Sequence, residues 1–236
     1  LWLDYYAKFK YNKKESRFLN MEANEVFERI YRENLWSNPE SRSGPGSTRV
    51  QALAIAPDFR KILDQLEIRT ILDAPCGDFN WMSTMDISGI GYTGIDIVSP
   101  LIRENERSYS QPGINFLMKD LTRDPLPCAD LILNRDCLVH FSYRDIGRAL
   151  KNMISSQSRY IMTTSFPAQG VNYDITTGDW RALNLEIHPF YFPKPVAFVP
   201  ESVDKKFEKW NKGKLLGVWD LKILEQLLSK NEYQFQ

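Results

Sequence analysis

One stretch decides the fold: Thr70-Ile71-Leu72-Asp73-Ala74-Pro75-Cys76-Gly77-Asp78-Phe79-Asn80-Trp81. It opens with an apolar run of strand length, breaks into a turn that contains proline and glycine, and continues with helix-like apolar spacing through Met85. Strand, tight turn and helix in this order are typical of a site for a nucleotide-type cofactor, because backbone N–H groups face the ligand there. The stretch therefore predicts the first strand of a parallel sheet, with a cofactor loop at its carboxyl end.

Alternating strands and helices are predicted on the carboxyl side of this stretch. Residues 92–97 form a second predicted strand that ends in an acid, Asp96, and residues 114–121 form a third that ends in Asp120. The pattern continues with strands at 129–134 and 159–164 and helices at 99–109 and 142–155. Because strands that alternate with helices are joined by right-handed crossovers, this order predicts a parallel sheet.

From Thr70 to about Phe166 the chain resembles the class I S-adenosylmethionine-dependent methyltransferases. In that family an acid ends the first strand and a glycine-rich loop follows, and Asp73 and Gly77 match this pattern. Pro75 and Phe79 stand where the family commonly has glycines, which stiffens the loop and leaves the backbone contact to Gly77. The resemblance implies an α/β, doubly wound, mostly parallel seven-stranded sheet of the Rossmann-like methyltransferase type. It also implies a final antiparallel pair at 196–199 and 214–219 and a closing helix at 221–228.

The resemblance also implies the cofactor, S-adenosyl-L-methionine, with S-adenosyl-L-homocysteine as the product. By family analogy Asp96 accepts hydrogen bonds from both ribose hydroxyls, a task that suits a carboxylate. Asp120 would accept from the adenine amine and Leu121 would supply apolar contact. The alternatives are a helix N-cap or a surface acid for Asp96 and a strand-end cap for Asp120. The predicted cofactor-binding residues are Asp73, Ala74, Pro75, Gly77, Asp78, Trp81, Asp96, Ile97, Asp120, Leu121, Asn134 and Arg135.

The segment Asn134–Phe141 follows the fourth predicted strand and holds the candidate catalytic residues. Ligands of open α/β sheets bind at the carboxyl edge, where this segment lies. Methyl transfer to a hydroxyl requires removal of the hydroxyl proton, and a neutral histidine is the natural base near pH 7. His140 is therefore the first candidate base, with Asp136 as its orienter or as an alternative base. A structural role for His140 beneath the cofactor is an equal alternative.

Between the fifth and sixth predicted strands, residues 166–195 lose all regular patterning, and long irregular segments in compact domains are usually functional. An aromatic platform with hydrogen-bonding groups suits a saccharide or small-metabolite hydroxyl as acceptor. The alternative is an ordered loop whose polar groups form hydrogen bonds only with one another. The predicted substrate-binding residues are Trp36, Asp174, Asp179, Trp180, Arg181 and His188, the last also a second candidate base. No metal site is predicted, although Asp136 with Asp174 or Asp179 could hold a divalent cation.

The chain divides into an N-terminal helical cap or lid, residues 1–66, and a methyltransferase core, residues 67–236, with the acceptor-binding insertion at about 166–195. Helical spacing recurs at 22–35 and 48–66, and Pro57 is expected to kink or divide the second helix. The Gly/Pro/Ser-rich segment that follows Trp36 is either a linker or a lid. A lysine-rich stretch from 205 to 214 is a solvated flank or a clamp on an anionic acceptor.

Whole-chain properties limit the classes of partner. The 236 residues include 30 Lys+Arg and 30 Asp+Glu, and this neutral balance disfavours a dedicated nucleic-acid binder. Three cysteines do not suggest a disulfide framework, so a cytoplasmic location is expected. No apolar run approaches the ~18 residues of a membrane span, and no signal-peptide pattern is present. The chain begins without an initiator Met, which raises the expectation of a longer parent protein, and no pattern indicates an oligomeric state.

Two other functions fit parts of the sequence. Asp96 could hold the ribose of a nicotinamide cofactor in an oxidoreductase, but the Gly-x-Gly-x-x-Gly pattern of such enzymes is missing from the turn at 74–79. The fold could also be kept as a non-catalytic module that binds a cofactor or a partner. A methyltransferase, most simply one directed at oxygen, is the leading hypothesis.

Overall fold

The computed structural model describes residues 16–201 and 213–228. Its strands are β1 (Thr70–Asp73), β2 (Gly91–Asp96), β3 (Ile114–Met118), β4 (Leu131–Asn134), β5 (Tyr160–Ser165), β6 (Ala197–Pro200) and β7 (Leu215–Asp220). Its α-helices are α1 (Ala23–Glu33), α2 (Arg49–Gln65), α3 (Ser99–Tyr109), α4 (Tyr143–Ser155) and α5 (Leu221–Leu228). Part of the lysine-rich stretch and the first residues of the predicted cap lie outside these described ranges.

The strands form one 7-stranded sheet in the order β3-β2-β1-β4-β5-β7-β6. All neighbouring strands run parallel except β7, which is antiparallel to both β5 and β6. The predicted doubly wound sheet with a final antiparallel pair is therefore confirmed. Strand order reverses between β1 and β4, and ligands bind in the crevice at such a point in open α/β sheets. The loops after β1 and β4 consequently lie side by side.

Both faces of the sheet are buried. Alternate residues of β1 point to opposite faces, so Ile71 joins the cluster formed by α2 and α3, whereas Leu72 joins the cluster formed by α4 and α5. Helix α2, which the sequence assigned to the cap, packs on the sheet through residues such as Phe59 and Leu63. Among the described residues of the predicted cap, those over the carboxyl edge of the sheet are mainly the ones before α2.

The prediction of a helix directly after the cofactor loop is wrong. Residues Met82–Thr84 form a single 3₁₀ turn. The hydroxyls of Ser83 and Thr84 each donate to a backbone carbonyl three residues earlier, at 2.7 Å, and such bonds compete with the hydrogen bonds of a helix. Helix α2 occupies this face instead, with the ring of Phe59 6.2 Å from that of Trp81. No α-helix therefore begins directly after the cofactor loop.

Helix α2 runs without interruption through Pro57, so of the two expected effects of the proline, a kink or a division, the division is wrong. A proline inside a helix removes one backbone hydrogen bond and costs about 3 kcal/mol. The buried stripe continues on both sides of Pro57, from Ile55 to Phe59 and Ile62. Burial of each large apolar side chain contributes about 1.5–3 kcal/mol, which offsets that cost.

Phe79 takes a backbone conformation that favours glycine. Its φ is 57°, in the left-handed region that costs a residue with a side chain roughly 1–2 kcal/mol. The Phe79 ring packs against Tyr92, Tyr109 and Phe116, with centroid separations of 5.1, 5.0 and 5.2 Å. Burial of this ring offsets the backbone strain, and the ring contacts fix the turn against β2, α3 and β3.

Residues 166–196 contain neither helix nor strand, as predicted for this segment. Asn184 ties its two halves together, because its side chain donates to the carbonyl of Gln169 at 2.9 Å and its carbonyl accepts from Asn172 at 2.7 Å. All three cysteines are free thiols, of which only Cys128 is exposed. Among the described residues, no helix is both long enough and apolar enough to cross a membrane.

Candidate active site

Two adjoining cavities open at the carboxyl edge of the sheet. The first cavity lies between the loops after β1, β2 and β4 and the overlying α1 and 36–47 segment. The second cavity, of about 650 Å³, lies between the 36–47 segment and the irregular segment after β5. The residues that line both are Ile30, Trp36, Ser43, Asp136 and His140. These shared residues form the boundary between the two spaces.

Asp96 lines the first cavity at the end of β2. Its Oδ1 accepts the Val98 N–H at 2.9 Å and its Oδ2 accepts the Gly77 N–H at 3.2 Å. Burial raises the pKa of Asp96 to about 6, with the backbone N–H groups acting against this rise. Since a carboxylate offers about four acceptor sites, both oxygens keep capacity for hydroxyl donors from the cavity.

Asp120 lies in the turn after β3 and also lines the first cavity, as do Ile97 and Leu121. The strand ends at Met118, earlier than predicted, and the Oδ1 of Asp120 accepts from the backbone N–H and the hydroxyl of Thr122, at 2.8 and 2.7 Å. Two strand-end acids therefore converge on one space, with apolar side chains between them.

Asp73 does not join them, which corrects the expectation that the acid of β1 faces the ligand. Its carboxyl group is buried and accepts the Tyr92 hydroxyl at 2.7 Å, and it does not line either cavity. Burial raises the pKa of Asp73 to about 8, although the Tyr92 hydroxyl and the charge of Arg135 act against this rise. The neutral carboxyl therefore belongs to the floor beneath the cofactor loop.

Asp73→Asn is expected to be more stable than the parent protein at pH 8 and equal to it near pH 4. The native Asp73 keeps a proton up to pH 8 that the unfolded chain loses near pH 4. Stability from this group therefore falls by about 1.4 kcal/mol per pH unit over that window, and asparagine abolishes the fall while still accepting from Tyr92. Urea unfolding at pH 4 to 8 measures the difference, and parallel curves would contradict the assigned pKa.

Gly77 and Asp78 contact the 36–47 segment. The Gly77 N–H donates to Asp96 and its carbonyl accepts from Asn105 at 2.7 Å, so both backbone groups have partners within the protein. A Cβ on Gly77 would lie 2.2 Å from the Ser43 hydroxyl oxygen. The glycine is therefore needed for the close approach of Ser43. Gly77 also lines the first cavity, so its predicted place in the cofactor site stays a prediction.

The Asp78 carboxylate holds the same segment and does not line either cavity. It accepts from the Ser41 hydroxyl at 2.9 Å, from the Arg42 N–H at 2.7 Å and from the Ser43 hydroxyl at 3.3 Å. The Asp78 N–H donates in turn to the Ser43 oxygen at 2.9 Å. The predicted role of Asp78 as a direct cofactor ligand is corrected, because its carboxylate is committed to this segment.

The remaining predicted cofactor residues divide into two groups. Pro75, Trp81 and Arg135 line the first cavity, whereas Ala74 and Asn134 are buried outside it, joined by a hydrogen bond from the Asn134 amide to the Ala74 carbonyl. The Arg135 side chain already has partners within the protein. Its Nε pairs with Glu201 at 2.6 Å, its Nη1 donates to the Gly46 carbonyl at 2.8 Å, and its guanidinium lies 4.8 Å from the centre of the Trp81 ring.

Asp136 is held by a buried lysine. Lys214 places its ammonium 2.7 Å from the Oδ2 of Asp136 and 3.0 Å from the Oε2 of Glu201. Burial acts to raise the pKa of Asp136, but the charges of Lys214 and Arg135 outweigh it and hold that pKa at about 2. A carboxylate held this acidic by two cations is a weaker proton acceptor at neutral pH than a neutral imidazole, so the geometry favours His140 over Asp136 as the base. Lys214 is therefore not part of a solvated flank, and its ammonium group is not free to bind an anionic acceptor.

His140 lies on the boundary between the two cavities, with its ring centre 5.1 Å from that of Trp36. Burial lowers the pKa of His140, so the imidazole is neutral at pH 7. Its Nδ1 lies 2.9 Å from the carbonyl oxygen of Asp179. Because a carbonyl only accepts, Nδ1 carries the proton and Nε2 carries the lone pair. The carbonyl of Asp179, rather than the carboxylate of Asp136, orients the ring.

The structure separates the predicted substrate-binding residues. Trp36, Asp179 and Trp180 line the second cavity. Asp174 and His188 do not line either cavity, since the Asp174 carboxylate accepts the first N–H of α4 at 2.7 Å and His188 is exposed beside Tyr191. Among the described residues, no group of three or more histidine, cysteine, aspartate or glutamate side chains is placed to hold a metal ion.

Arg181, which is also a predicted substrate-binding residue, lies apart from the two cavities. Its side chain is completely buried and does not line either cavity. Its Nη1 donates to the carbonyls of Leu138 and Val139, at 3.1 and 2.9 Å. These hydrogen bonds have a structural role, because they give the buried guanidinium the partners that it requires inside the protein.

Several lining residues were not predicted from the sequence. Half of those in the first cavity are on the N-terminal side, among them Phe27, Tyr31, Arg42, Ser43 and Ser47, and Lys119 follows β3. The apolar periodicity of α1 indicates that Phe27 and Tyr31 are partly covered, but not what covers them. The serines had a usable signal, because a Ser/Gly/Pro run next to a tryptophan is unusual for a solvated linker.

Comparisons with known proteins agree with this topology. No protein-family model and no curated protein matches the chain. Among solved structures, the PH0226 protein from Pyrococcus horikoshii OT3 is similar at 16% identity over 76% of this chain and 96% of that chain, with a TM-score of 0.54. The methyltransferase domain of bacterial-CtHen1-CN is similar at 10% identity over 71% of this chain and 98% of that chain, with a TM-score of 0.52.

A further match is human N-acetylserotonin methyltransferase in complex with SAM, at 19% identity and a TM-score of 0.45. The match covers 61% of this chain and spans 42% of that enzyme. The strand order, the antiparallel seventh strand and the likeness to the Hen1 domain point to one architecture. This chain has the fold of the class I S-adenosylmethionine-dependent methyltransferases.

Proposed function

We propose that the protein is an S-adenosylmethionine-dependent methyltransferase that acts on a hydroxyl of a saccharide or small metabolite. The observation that carries this proposal is the meeting of two cavities at His140. One cavity has carboxylates suited to a nucleoside and the other has room for a second molecule. Methyl transfer requires that the donor and the acceptor be held next to each other, which two adjoining cavities allow.

The residues of the first cavity fit an adenosyl group. Asp96 has acceptor capacity for two ribose hydroxyls, and Asp120 can accept from an exocyclic amine. Between them, Ile97, Leu101 and Leu121 offer apolar walls for a planar base. When bound, S-adenosylmethionine supplies an electrophilic methyl group on a sulfonium.

His140 is proposed as the base. Its neutral ring presents the Nε2 lone pair, which can accept the proton of an acceptor hydroxyl, while the Asp179 carbonyl keeps the proton on Nδ1. The second cavity, at about 650 Å³, falls in the ~300–1,000 Å³ range of small-molecule sites. Trp36 and Trp180 provide aromatic surface there for a sugar ring or similar scaffold.

The segment from 36 to 47 is proposed to act as a lid that excludes water from the boundary between the cavities. Asp78, Arg135 and Asn80 fasten it, the last by donating to the Ser47 carbonyl at 3.0 Å. Asp78→Ala is expected to free this lid and to speed trypsin cleavage after Arg42 by at least tenfold, because the carboxylate accepts three of its hydrogen bonds. Unchanged cleavage would contradict the lid, and Asp86→Ala, at an exposed acid, is the matched control.

Isothermal titration calorimetry with S-adenosylmethionine, S-adenosylhomocysteine and NADH tests the proposed function. Micromolar binding of the first two, with no heat from NADH, is the expected result. Binding of NADH alone would instead favour the oxidoreductase. An absence of binding for all three at millimolar concentration would overturn the proposal.

A further inference from the structure

Arg181 is a buried cation directly behind the proposed base. Its side chain has no exposed surface, and it follows the Gly178–Trp180 loop that borders the second cavity. Removing a guanidinium from water costs several kcal/mol unless hydrogen bonds replace the lost hydration. The hydrogen bonds that Arg181 makes inside the protein therefore decide what it does there.

Its contacts converge on the turn that carries His140. The Nη1 of Arg181 donates to the carbonyls of Leu138 and Val139, the two residues directly before His140. The Arg181 backbone N–H donates to the same Val139 carbonyl at 3.1 Å. The guanidinium also lies 5.6 Å from the ring centre of Tyr143, the first residue of α4. Arg181 therefore fixes the 3₁₀ turn Leu138–His140 from inside the protein.

The same loop holds His140 at its backbone and at its ring. Gly178 donates its N–H to the His140 carbonyl at 2.8 Å, and the Asp179 carbonyl accepts from the His140 Nδ1 at 2.9 Å. Residues 178–181 therefore contact all three residues of the turn: Gly178 and Asp179 contact His140, and Arg181 contacts Leu138 and Val139.

We propose that Arg181 is a positioning residue that sets the orientation and the tautomer of His140. By holding the 138–140 turn against the 178–181 loop, it keeps the proton on Nδ1 and the lone pair on Nε2 at the cavity boundary. The charged groups that act on the imidazole are Asp136, Arg181 and Asp179, and the Arg181 charge opposes formation of the imidazolium. The catalytic part of this role rests on the proposed function, but the tautomer does not.

Nitrogen-15 NMR of the histidine side chains tests the proposal without any assay of activity. The chain has 2 histidines, and His188→Gln leaves one signal set for assignment. The unmodified protein is expected to show the Nδ1–H tautomer at His140. Arg181→Met should give a mixture of tautomers or the Nε2–H form, and Arg159→Met, which removes a guanidinium stacked on Tyr160, should leave the signals unchanged.

Kinetic measurements provide a second test of the role of Arg181. Arg181→Met is expected to lower kcat by at least tenfold with the Kd for S-adenosylmethionine unchanged within twofold. If the methionine variant does not fold, Arg181→Lys carries the test, since one ammonium cannot reproduce the planar fork and should still disturb the tautomer. A folded Arg181 variant that keeps the Nδ1–H tautomer would overturn the inference. A parent protein that binds no S-adenosylmethionine would overturn the proposed function while leaving the tautomer result valid.

Discussion

Asp96→Ala is expected to weaken the binding of S-adenosylmethionine by at least about 100-fold. The carboxylate lines the first cavity, and its oxygens hold the loop after β1 and the start of α3 through the Gly77 and Val98 N–H groups. Hydrogen bonds to a charged group contribute about 1.5–3 kcal/mol each, so the loss of two ribose contacts removes about 3–6 kcal/mol. Since 1.4 kcal/mol corresponds to a tenfold change in Kd, the effect is large enough for calorimetry to resolve.

Asp130→Ala is the matched control for Asp96→Ala. Asp130 accepts the N–H groups of Arg69 and Thr70 at 2.8 and 2.9 Å, at the opposite, amino end of the sheet. Its removal therefore also costs backbone hydrogen bonds and lowers stability, but it leaves the first cavity intact. Equal losses of affinity in the two variants would show that the Asp96 effect is only a loss of stability.

His140→Ala is expected to lower kcat by about 10²- to 10⁴-fold, the usual contribution of a general base, while the Kd for S-adenosylmethionine changes little. His140 lies at the cavity boundary with its lone pair on Nε2. Because burial lowers the pKa of His140, methyl transfer should persist below pH 6.5 and fail only when the imidazole gains a proton. The pH dependence of kcat/KM reports this pKa.

His188→Gln is the control for His140→Ala, because its exposed ring does not line either cavity. It should leave kcat unchanged. If His140→Ala also kept its full rate, His140 would have a structural role and the acceptor would need no base from this residue. Both kinetic results require an acceptor, which can be sought among saccharides and small hydroxylated metabolites.

The sequence predicted the sheet because each strand carries its own signal. The apolar runs that end at Asp73 and Asp96 form β1 and β2. The observed boundaries of the strands agree with the predicted ones to within a few residues. Side-chain direction had no such signal. Asp73 and Asp96 both end strands, yet only Asp96 faces the first cavity, because the Tyr92 hydroxyl lies within reach of Asp73 across the β1–β2 pair.

Contacts between distant segments could not be predicted from spacing. Lys214 pairs with Asp136, 78 residues earlier, and Asp78 binds serines of the 36–47 segment. Arg181 was interpreted as a substrate contact because exposed and buried guanidinium groups look alike in a sequence. What decides between the two is the position of the Leu138 and Val139 carbonyls, which depends on the folding of the whole 138–181 region.

A crystal structure of the protein with S-adenosylhomocysteine is the most direct test of the cofactor site. We expect the nucleoside between Asp96 and Asp120, with both ribose hydroxyls within hydrogen-bonding distance of the Asp96 carboxylate and the sulfur facing the His140 boundary. Density for the ligand elsewhere on the protein, or a ribose that does not touch Asp96, would contradict the proposed site.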